Sequence, residues 1–146
     1  DVLTYPTAGN ISSTSGTAYC EAMISASAIT AACELISTFA GGTEGIPSRI
    51  TSNTLGLYDG TANRNGQAIS ASSSMQKLAT AWSGSSAASA VGGTVTSGIT
   101  FDGDMNLAAT LRIPGMTTSP QLFNPLRNVR IYSTALSAAQ LQAMTS

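Results

Sequence analysis

The sequence is poor in charge and contains no histidine. Only 9% of its 146 residues are charged, against roughly 25% in typical soluble domains. Without His, the usual near-neutral general base and the commonest transition-metal ligand are missing, and a Ser/His/Asp triad is excluded. The six Lys and Arg residues are scattered singly and form no basic stripe that would neutralise a phosphate backbone. We therefore expect no nucleic-acid partner and no cofactor.

Long hydrophobic runs are also missing. No apolar stretch approaches the ~18 residues needed to cross a bilayer, and the first residues lack the basic-then-apolar layout of a signal peptide. We expect no membrane insertion. The length suits one domain with a single core over residues 1–146. Because the chain starts at Asp1 without a Met, we expect it to be the C-terminal part of a longer protein.

Cysteine is scarce, with only Cys20 and Cys33, in two neighbouring apolar segments. The two could form a disulfide if those segments become adjacent strands. The simpler interpretation is a pair of buried thiols. Both interpretations stay open at this stage, so cysteine usage does not define the cellular compartment.

Ser, Thr, Ala and Gly are abundant and together make up about half of the chain. Short apolar runs recur between Gly, Asn, Ser or Pro at intervals of roughly ten residues, which is typical of an all-β sandwich or barrel. Strands are predicted to begin at or near Leu3, Thr17, Ile29, Thr54, Ile69, Met75, Ser86, Leu107 and Leu126.

Two of these runs indicate how their strands are buried. From Val129 onward, the run that starts at Leu126 alternates apolar and polar residues, which predicts one buried face. In residues 77–82, Leu78 and Trp82 share one face while alanines occupy the other. Burial on both faces predicts a central strand, with Trp82 packed in the core.

The end of the chain predicts one short helix from Ser137 to Met144. Ser137 followed three residues later by Gln140 fits a capping box, and Leu136 with Leu141 fits a hydrophobic staple. A helix of about two turns is not stable alone and must dock on the sheet. We expect its apolar residues to cover an open edge or end of the sandwich.

The same C-terminal residues resemble a known family. The segment LRNVRIYSTALSAAQLQAMT, Leu126–Thr145, resembles the ending of concanavalin A-like, laminin-G-like jelly-roll domains, where a last strand leads into a terminal helical turn. The segment KLATAWSGSSAASAVGG, Lys77–Gly93, resembles paired strands of that family. The resemblance implies an all-β fold: a two-sheet antiparallel jelly-roll sandwich, concanavalin A-like, with a short C-terminal helix.

The front and middle of the chain narrow the resemblance. Residues Leu3–Glu21 (LTYPTAGNISSTSGTAYCE) and Ser48–Asn65 (SRITSNTLGLYDGTANRN) are similar to C-terminal domains of bacteriophage tail-fibre, tail-spike and head-fibre proteins. This similarity implies an extracellular virion domain, a homotrimer, and recognition of a host cell-surface polysaccharide. The alternative is a structural capping, assembly or capsid-decoration module that binds only other virion proteins. A third hypothesis is a lectin-like module of a secreted bacterial protein.

Carboxylates are the first candidates for catalytic residues, because a jelly-roll glycoside hydrolase needs two of them beside the sugar bond. The Glu-x-Asp-x-x-Glu cluster of related glucanases is absent, and Glu21 and Glu34 lie singly on apolar strands, where we expect each to meet a hydroxyl or an Arg. We predict that the domain is not an enzyme. The acids are Asp1, Glu21, Glu34, Glu44, Asp59, Asp102 and Asp104.

A candidate calcium site lies in the segment FDGDMN. Asp102, Asp104 and Asn106 are suitable oxygen ligands for Ca²⁺. The other interpretation is a solvated turn anchored in the core by Phe101 and Met105. We favour the turn, because Ca²⁺ needs about six or more oxygens and no second acidic cluster is evident.

A candidate ligand site lies in the segment LYDGTANRNG. Tyr58, Asn63 and Arg64 combine an aromatic ring, an amide and a guanidinium, which suit hydrogen bonding to and stacking on a sugar. The simpler interpretation is a hairpin tip with ordinary turn residues.

Overall fold

The computed structural model describes residues 3–38, 44–114 and 125–146. These ranges contain eleven strands and two short helices. The strands are β1 (Leu3–Pro6), β2 (Ser15–Ile24), β3 (Cys33–Ile36), β4 (Ile46–Thr51), β5 (Thr54–Tyr58), β6 (Asn63–Ala68), β7 (Ser72–Ser83), β8 (Ser86–Val91), β9 (Thr94–Thr100), β10 (Thr110–Ile113) and β11 (Leu126–Tyr132). The helices are α1 (Ala26–Thr30) and α2 (Ala138–Thr145).

The strands form a sandwich of antiparallel sheets. One sheet has five strands in the order β11-β2-β7-β8-β9, and the facing sheet has four in the order β3-β4-β5-β6. A two-stranded β1-β10 ribbon continues the four-stranded sheet beyond β3, because Ser37 and Arg112 form an isolated bridge with N···O distances of 3.1 and 2.8 Å. The predicted all-β two-sheet sandwich with a short C-terminal helix is confirmed.

The main core lies between the two sheets. Trp82 is fully buried, and its Nε1–H donates to the Ser12 carbonyl at 3.1 Å, so the ring carries no unsatisfied polar atom into the interior. Gly16 lies against the same ring, and a Cβ there would sit 2.4 Å from it. Residues Leu78–Trp82 are buried on both faces of β7. The predicted central strand with Trp82 in the core is therefore confirmed.

The two sheets meet along one edge of the sandwich, at β6 and β9. Thr96 Oγ1 donates to Gln67 Oε1 at 2.9 Å, and the Gln67 backbone N–H donates to Ser89 Oγ at 2.6 Å. Gly66 allows this approach, because a Cβ there would lie 2.1 Å from Ser89 Oγ. This edge is closed by hydrogen bonds between the sheets.

Helix α2 packs on the outer face of the five-stranded sheet. Gln140 N–H donates to Ser137 Oγ and Ser137 N–H donates to Gln140 Oε1, which confirms the capping box. Leu141 is fully buried in a cluster with Tyr19, Ala79, Ala81 and Ala90, and Leu136 packs against the same cluster.

The expected position of this helix is therefore wrong. It covers a sheet face rather than an open edge or end of the sandwich. The physical reason is the two-residue period of a strand, which places the small alanines of β7 and β8 on the outer face, where a helix can approach closely.

Two strands, β4 and β9, were not predicted, and most of β6 lies before the strand expected near Ile69. Strand β4 contains Pro47, and the sequences of β6 (NRNGQA) and β9 (TVTSGIT) are mostly polar. Strand β4 pairs with a neighbour on each side, and β6 and β9 each pair on one side, through backbone hydrogen bonds that do not depend on hydrophobic pattern. The weak alternation in these segments explains why sequence patterning missed them.

Other strand boundaries shifted from the prediction. Ile29 and Thr30, the first residues of one predicted strand, are instead the last residues of α1, which begins where Ser25 Oγ accepts from Ala28 N–H. Strand β3 begins only at Cys33. Phe39, at the end of that run, lies outside the described residues. The strand expected from Leu107 begins at Thr110, and the one expected near Ile69 ends at Ala68.

Strand β11 contains a bulge. Asn128 has a φ of 50°, and the pairing of β11 with β2 shifts register between Arg127 and Arg130. An extra residue at a bulge resets the two-residue period of a strand. This explains why the alternation is regular only from Val129 onward.

Cys20 and Cys33 lie in different sheets, and both are buried thiols. Burial, and secondly the neighbouring Cys33 thiol, raises the pKa of Cys20 to about 12. The structure thus has the simpler of the two cysteine arrangements. Within the described ranges, neither helix is long and apolar enough to cross a membrane.

Candidate functional site

The outer face of the four-stranded sheet carries a row of polar residues. Glu34 on β3 is opposite Arg49 on β4, Arg49 is opposite Gly56 on β5, and Gly56 is opposite Asn65 on β6. Directly opposed residues of antiparallel strands project from the same face. Their neighbours along the chain, such as Leu55, belong to the main core on the other side. This row is therefore directed away from the core.

Arg49 connects the polar residues of this face. Its guanidinium carbon lies 5.6 Å from the centroid of the Tyr58 ring, within cation–π distance. Its Nη1 donates to Asn63 Oδ1 at 2.8 Å, and the Tyr58 hydroxyl donates to the Gly60 carbonyl at 3.2 Å. Asn63 is exposed and Tyr58 is partly exposed. We call Glu34, Arg49, Tyr58 and Asn63 the outer-face cluster.

Gly56 leaves this face without a side chain beside Arg49. A Cβ at Gly56 would lie 2.1 Å from the Arg64 carbonyl oxygen and 3.1 Å from Asn65 Cα. The close approach of the β6 backbone therefore requires glycine here. As a result, Arg49 has no cross-strand side chain on its β5 side and can extend to Asn63.

Glu34 is the buried acid of the cluster. It is 8% exposed, and the Ser37 side chain forms a hydrogen bond with its carboxylate. This confirms that Glu34 meets a hydroxyl. Burial raises the pKa of Glu34, and the opposing effects of Ser37, Arg49 and Arg112 do not cancel that increase. The carboxylate is thus held in a site that penalises its charge.

Of the predicted ligand residues, Tyr58 and Asn63 are directly opposed on β5 and β6 and project from the outer face. Arg64 is opposite Leu57, which belongs to the main core, so it projects from the other face of the sheet. Arg64 differs from the other two, because its Nε forms an ion pair with Asp59 Oδ2 and its side chain is only 20% exposed. Whether these residues bind a ligand stays a prediction.

Asp59 organises the connection that carries Asn63. It is 1% exposed, and its Oδ1 accepts from the Thr61 N–H, the Thr61 hydroxyl and the Ala62 N–H at 2.9, 2.7 and 2.9 Å. Burial alone would raise the pKa of Asp59, but these hydrogen bonds and Arg64 lower it overall. The ionised carboxylate of Asp59 therefore fixes the loop, and Arg64 stabilises the loop through its ion pair with Asp59.

Sequence patterning did not identify Glu34 and Arg49 as site residues. The available signal was that each is a single charged residue in an otherwise apolar or small-residue strand, in CELI and IPSRIT. The pairing of β3 with β4, which places the two side by side, required the tertiary structure.

The candidate calcium segment forms a turn anchored by two buried side chains, Phe101 and Met105, as expected. Asp102, Asp104 and Asn106 are exposed, and the Asp104 N–H donates to Asp102 Oδ1 at 3.4 Å. In the described part of the chain, no group of three or more His, Cys, Asp or Glu residues is arranged to hold a metal ion. Calcium binding at this turn stays a hypothesis.

A groove of about 700 Å³ lies on the other long edge of the sandwich, between the β1-β10 ribbon and β11. Its apolar lining includes Leu3 and Tyr5, which are 55% and 43% exposed. Its polar lining includes Arg127 and Asn128.

These two polar residues are held by Glu21. Arg127 Nε and Asn128 Nδ2 each donate to the Glu21 carboxylate at 2.9 Å, and the Tyr19 hydroxyl donates to it at 3.1 Å. The hydrogen bond from Asn128, followed by that from Arg127, lowers the pKa of Glu21. The expectation that Glu21 meets an Arg or a hydroxyl is confirmed.

The fold is shared with solved structures of low sequence identity. Domain 4 of AbnA, a GH43 extracellular arabinanase from Geobacillus stearothermophilus, in complex with arabinotriose, superposes with a TM-score of 0.70 and 14% identity over 92% of this chain and 68% of that one. The Ruminococcus gnavus IT-sialidase CBM40 bound to alpha2,3 sialyllactose gives 0.65 and 15% over 92% and 84%.

A third similar structure is Trypanosoma rangeli sialidase, with a TM-score of 0.59 and 10% identity over 88% of this chain. This chain spans only 22% of that sialidase chain. No protein-family model matches the sequence, and no curated protein matches it either. The structural likenesses show the fold, which is that of a β-sandwich domain.

Proposed function

We propose that this β-sandwich is a non-enzymatic glycan-binding module and that the outer-face cluster is its binding surface. The observation that carries the proposal is the arrangement of Arg49, Tyr58 and Asn63. The Arg49 guanidinium carbon lies 5.6 Å from the centroid of the Tyr58 ring, and Arg49 Nη1 donates to the exposed Asn63 amide oxygen at 2.8 Å. Sugars bind where an aromatic plate is combined with a few convergent polar groups.

The fixed position of the Tyr58 ring favours binding. The Tyr58 hydroxyl donates to the Gly60 carbonyl, so little side-chain entropy is lost when a sugar docks on the ring. The connection that carries Asn63 is fixed by Asp59. The arabinanase domain in complex with arabinotriose and the CBM40 bound to sialyllactose support the proposal, because they have this fold.

The positions of the described carboxylates support the absence of catalysis. Asp59 is paired with Arg64, and Glu21 is hydrogen-bonded to Arg127 and Asn128. Glycoside hydrolysis needs two carboxyl groups facing each other across a sugar. Among residues 3–38, 44–114 and 125–146, Asp102 and Asp104 are adjacent exposed acids, and they lie on one turn rather than on opposite walls of a cleft.

At the level of biology, we propose host attachment by a phage fibre or spike, with a host cell-surface polysaccharide as ligand and a homotrimer as the assembly. Support comes from the similarity of Leu3–Glu21 and Ser48–Asn65 to the C-terminal domains of such fibres. This role implies an extracellular location on the virion.

A second candidate function is structural, as an assembly or capsid-decoration module that binds other virion proteins. The observation that favours it is the edge groove with the exposed apolar residues Leu3 and Tyr5. Exposed apolar patches on a protein mark contact surfaces.

A glycan array followed by calorimetric titration of the best ligand tests the proposal. We expect Tyr58→Ala to weaken binding at least tenfold, about 1.4 kcal/mol. The matched control is Tyr5→Ala, a second partly exposed tyrosine outside the cluster, which should change affinity less than twofold.

Three results would contradict the proposal. Binding lost with Tyr5→Ala and kept with Tyr58→Ala would move the site to the edge groove. An absence of glycan binding by a stably assembled protein would favour the structural module. Hydrolysis of the polysaccharide would exclude a purely binding role.

A further inference from the structure

Two buried polar atoms in the outer-face cluster lack hydrogen-bond partners among the described residues. They are Glu34 Oε2 and Arg49 Nε. Native proteins satisfy the great majority of buried polar atoms, and an orphaned charged group is especially costly. The two atoms belong to directly opposed residues on β3 and β4, so they share one small region of the sheet face.

The surrounding contacts explain why protein groups do not satisfy them. The other side of the Glu34 carboxylate is engaged by Ser37, and the Arg49 guanidinium is drawn toward Asn63 and Tyr58. Arg49 is thus extended along the face instead of pairing closely with Glu34. An N–H donor and a carboxylate acceptor are thus left without partners on two directly opposed residues.

A hydroxyl is the group that matches this pair. It accepts a hydrogen bond from an N–H and at the same time donates one to a carboxylate. A ligand carboxylate or sulfate would accept from Arg49 but would be repelled by Glu34, and a ligand amine would be repelled by Arg49. The pair therefore discriminates in favour of neutral hydroxyl-bearing ligands.

We propose that one hydroxyl of a neutral sugar binds between Arg49 Nε and Glu34 Oε2, so that the module selects neutral over acidic glycans. This deepens the proposed function and rests on it. Both atoms are covered in the unliganded protein, so the hydroxyl enters as the Arg49 guanidinium moves away from Asn63. The sugar ring then lies beside Tyr58, which the same guanidinium contacts.

The first test compares ligands on the unaltered protein by calorimetry. The neutral compounds are arabinotriose, maltotriose and galactotriose, and the acidic compound is trigalacturonate. We expect a neutral trisaccharide to bind at least tenfold more tightly than trigalacturonate. In a series of monodeoxy forms of the best neutral ligand, removal of one particular hydroxyl should cost at least tenfold.

The second test uses variants. Glu34→Gln and Arg49→Lys should each weaken the best neutral ligand at least tenfold, because the first removes the carboxylate acceptor and the second removes the Nε–H. The matched control is Glu21→Gln, whose carboxylate is paired with Arg127 and Asn128 at the other sheet, and it should change affinity less than twofold.

The outcomes separate this inference from the proposed function. If Tyr58→Ala abolishes glycan binding while Glu34→Gln and Arg49→Lys shift only the melting temperature, an internal water fills the gap and the hydroxyl site is wrong. Tighter binding of trigalacturonate also overturns it. If no glycan binds the unaltered protein, both the inference and the proposed function are wrong.

Discussion

The two outer faces of the sandwich differ in what covers them. On the five-stranded sheet, the part of the outer face beneath α2 consists of Tyr19 and small alanines, and α2 covers it with Leu141. On the four-stranded sheet, the outer face carries Glu34 and Arg49, whose polar atoms need partners. Small apolar side chains favour a docked helix by hydrophobic burial, whereas charged groups oppose burial without compensation. The composition of each face thus determines whether a helix covers it.

The largest effect is expected at the covered face. Deletion of residues 137–146 removes Leu141 and exposes the alanines beneath it, and we expect a loss of more than about 3 kcal/mol in the free energy of unfolding. Urea denaturation measures this loss. Gln142→Ala, an exposed position on the same helix, should change stability by less than about 0.5 kcal/mol. An unchanged unfolding midpoint for the truncated chain would show that α2 does not stabilise this face.

On the four-stranded sheet, we expect the largest loss of stability at Asp59, which fixes the connection that carries Asn63. Asp59→Asn removes the ionised partner of Arg64, and we expect a loss of about 2 kcal/mol near pH 7. Because the pKa of Asp59 is lowered on folding, its contribution is present above the pKa of the unfolded carboxyl and is lost as the pH falls through the folded pKa. The difference between variant and unaltered protein should therefore shrink in acid.

The matched control for this variant is Asp102→Asn. Asp102 is exposed and lies 3.3 Å from the same Thr61 hydroxyl that bonds Asp59. We expect a change of less than about 0.5 kcal/mol. Equal losses for both variants, or a loss for Asp59→Asn that persists in strong acid, would contradict the assigned role of the buried carboxylate.

The cap of α2 should contribute less. Ser137→Ala removes the side chain that accepts from the Gln140 N–H, and we expect a loss of about 1 kcal/mol by thermal or urea unfolding. Ser133→Ala, at an exposed serine before the helix, is the control and should be close to neutral. If the two serine variants have the same stability, the capping box does not hold the helix on its face.

The smallest effect on stability should come from Glu34→Gln, with a change within about 1 kcal/mol near pH 7. The pKa of Glu34 is raised on folding, so its stabilising contribution is present below the pKa of the unfolded carboxyl and is lost as the pH rises through the folded pKa. The groups facing it are Ser37, Arg49 and Arg112.

Melting temperatures at several pH values measure this effect. The unaltered protein should gain stability relative to Glu34→Gln as the pH falls from neutral toward about 4. A relative loss over the same range would mean that the charged form of Glu34 is favoured by folding. Burial would then not disfavour the charged form of Glu34, and the contrast drawn between the outer faces of the two sheets would be incorrect.

Sequence patterns predicted the structure correctly where they depend on residues close together in the chain. The two-sided burial of Leu78–Trp82 and the cap at Ser137 were predicted, because both depend on residues close together in the chain. Strand β4, which contains Pro47, and the mostly polar strand β9 were missed, because their pairing depends on backbone hydrogen bonds to neighbours rather than on apolar alternation. Of the predicted residues Tyr58, Asn63 and Arg64, the first two are opposed across the β5–β6 connection, whereas Arg64 is opposite the core residue Leu57.

What the sequence determined by itself was the all-β class, the central strand, and a short helix with its cap at Ser137. These features follow from local periodicity and local hydrogen bonding. Only the tertiary structure decided that α2 lies on a sheet face and that Glu34 and Arg49 stand side by side with one unsatisfied atom each. The physical reason is strand register, which joins residues distant in the chain and is set by the packing of the whole sandwich.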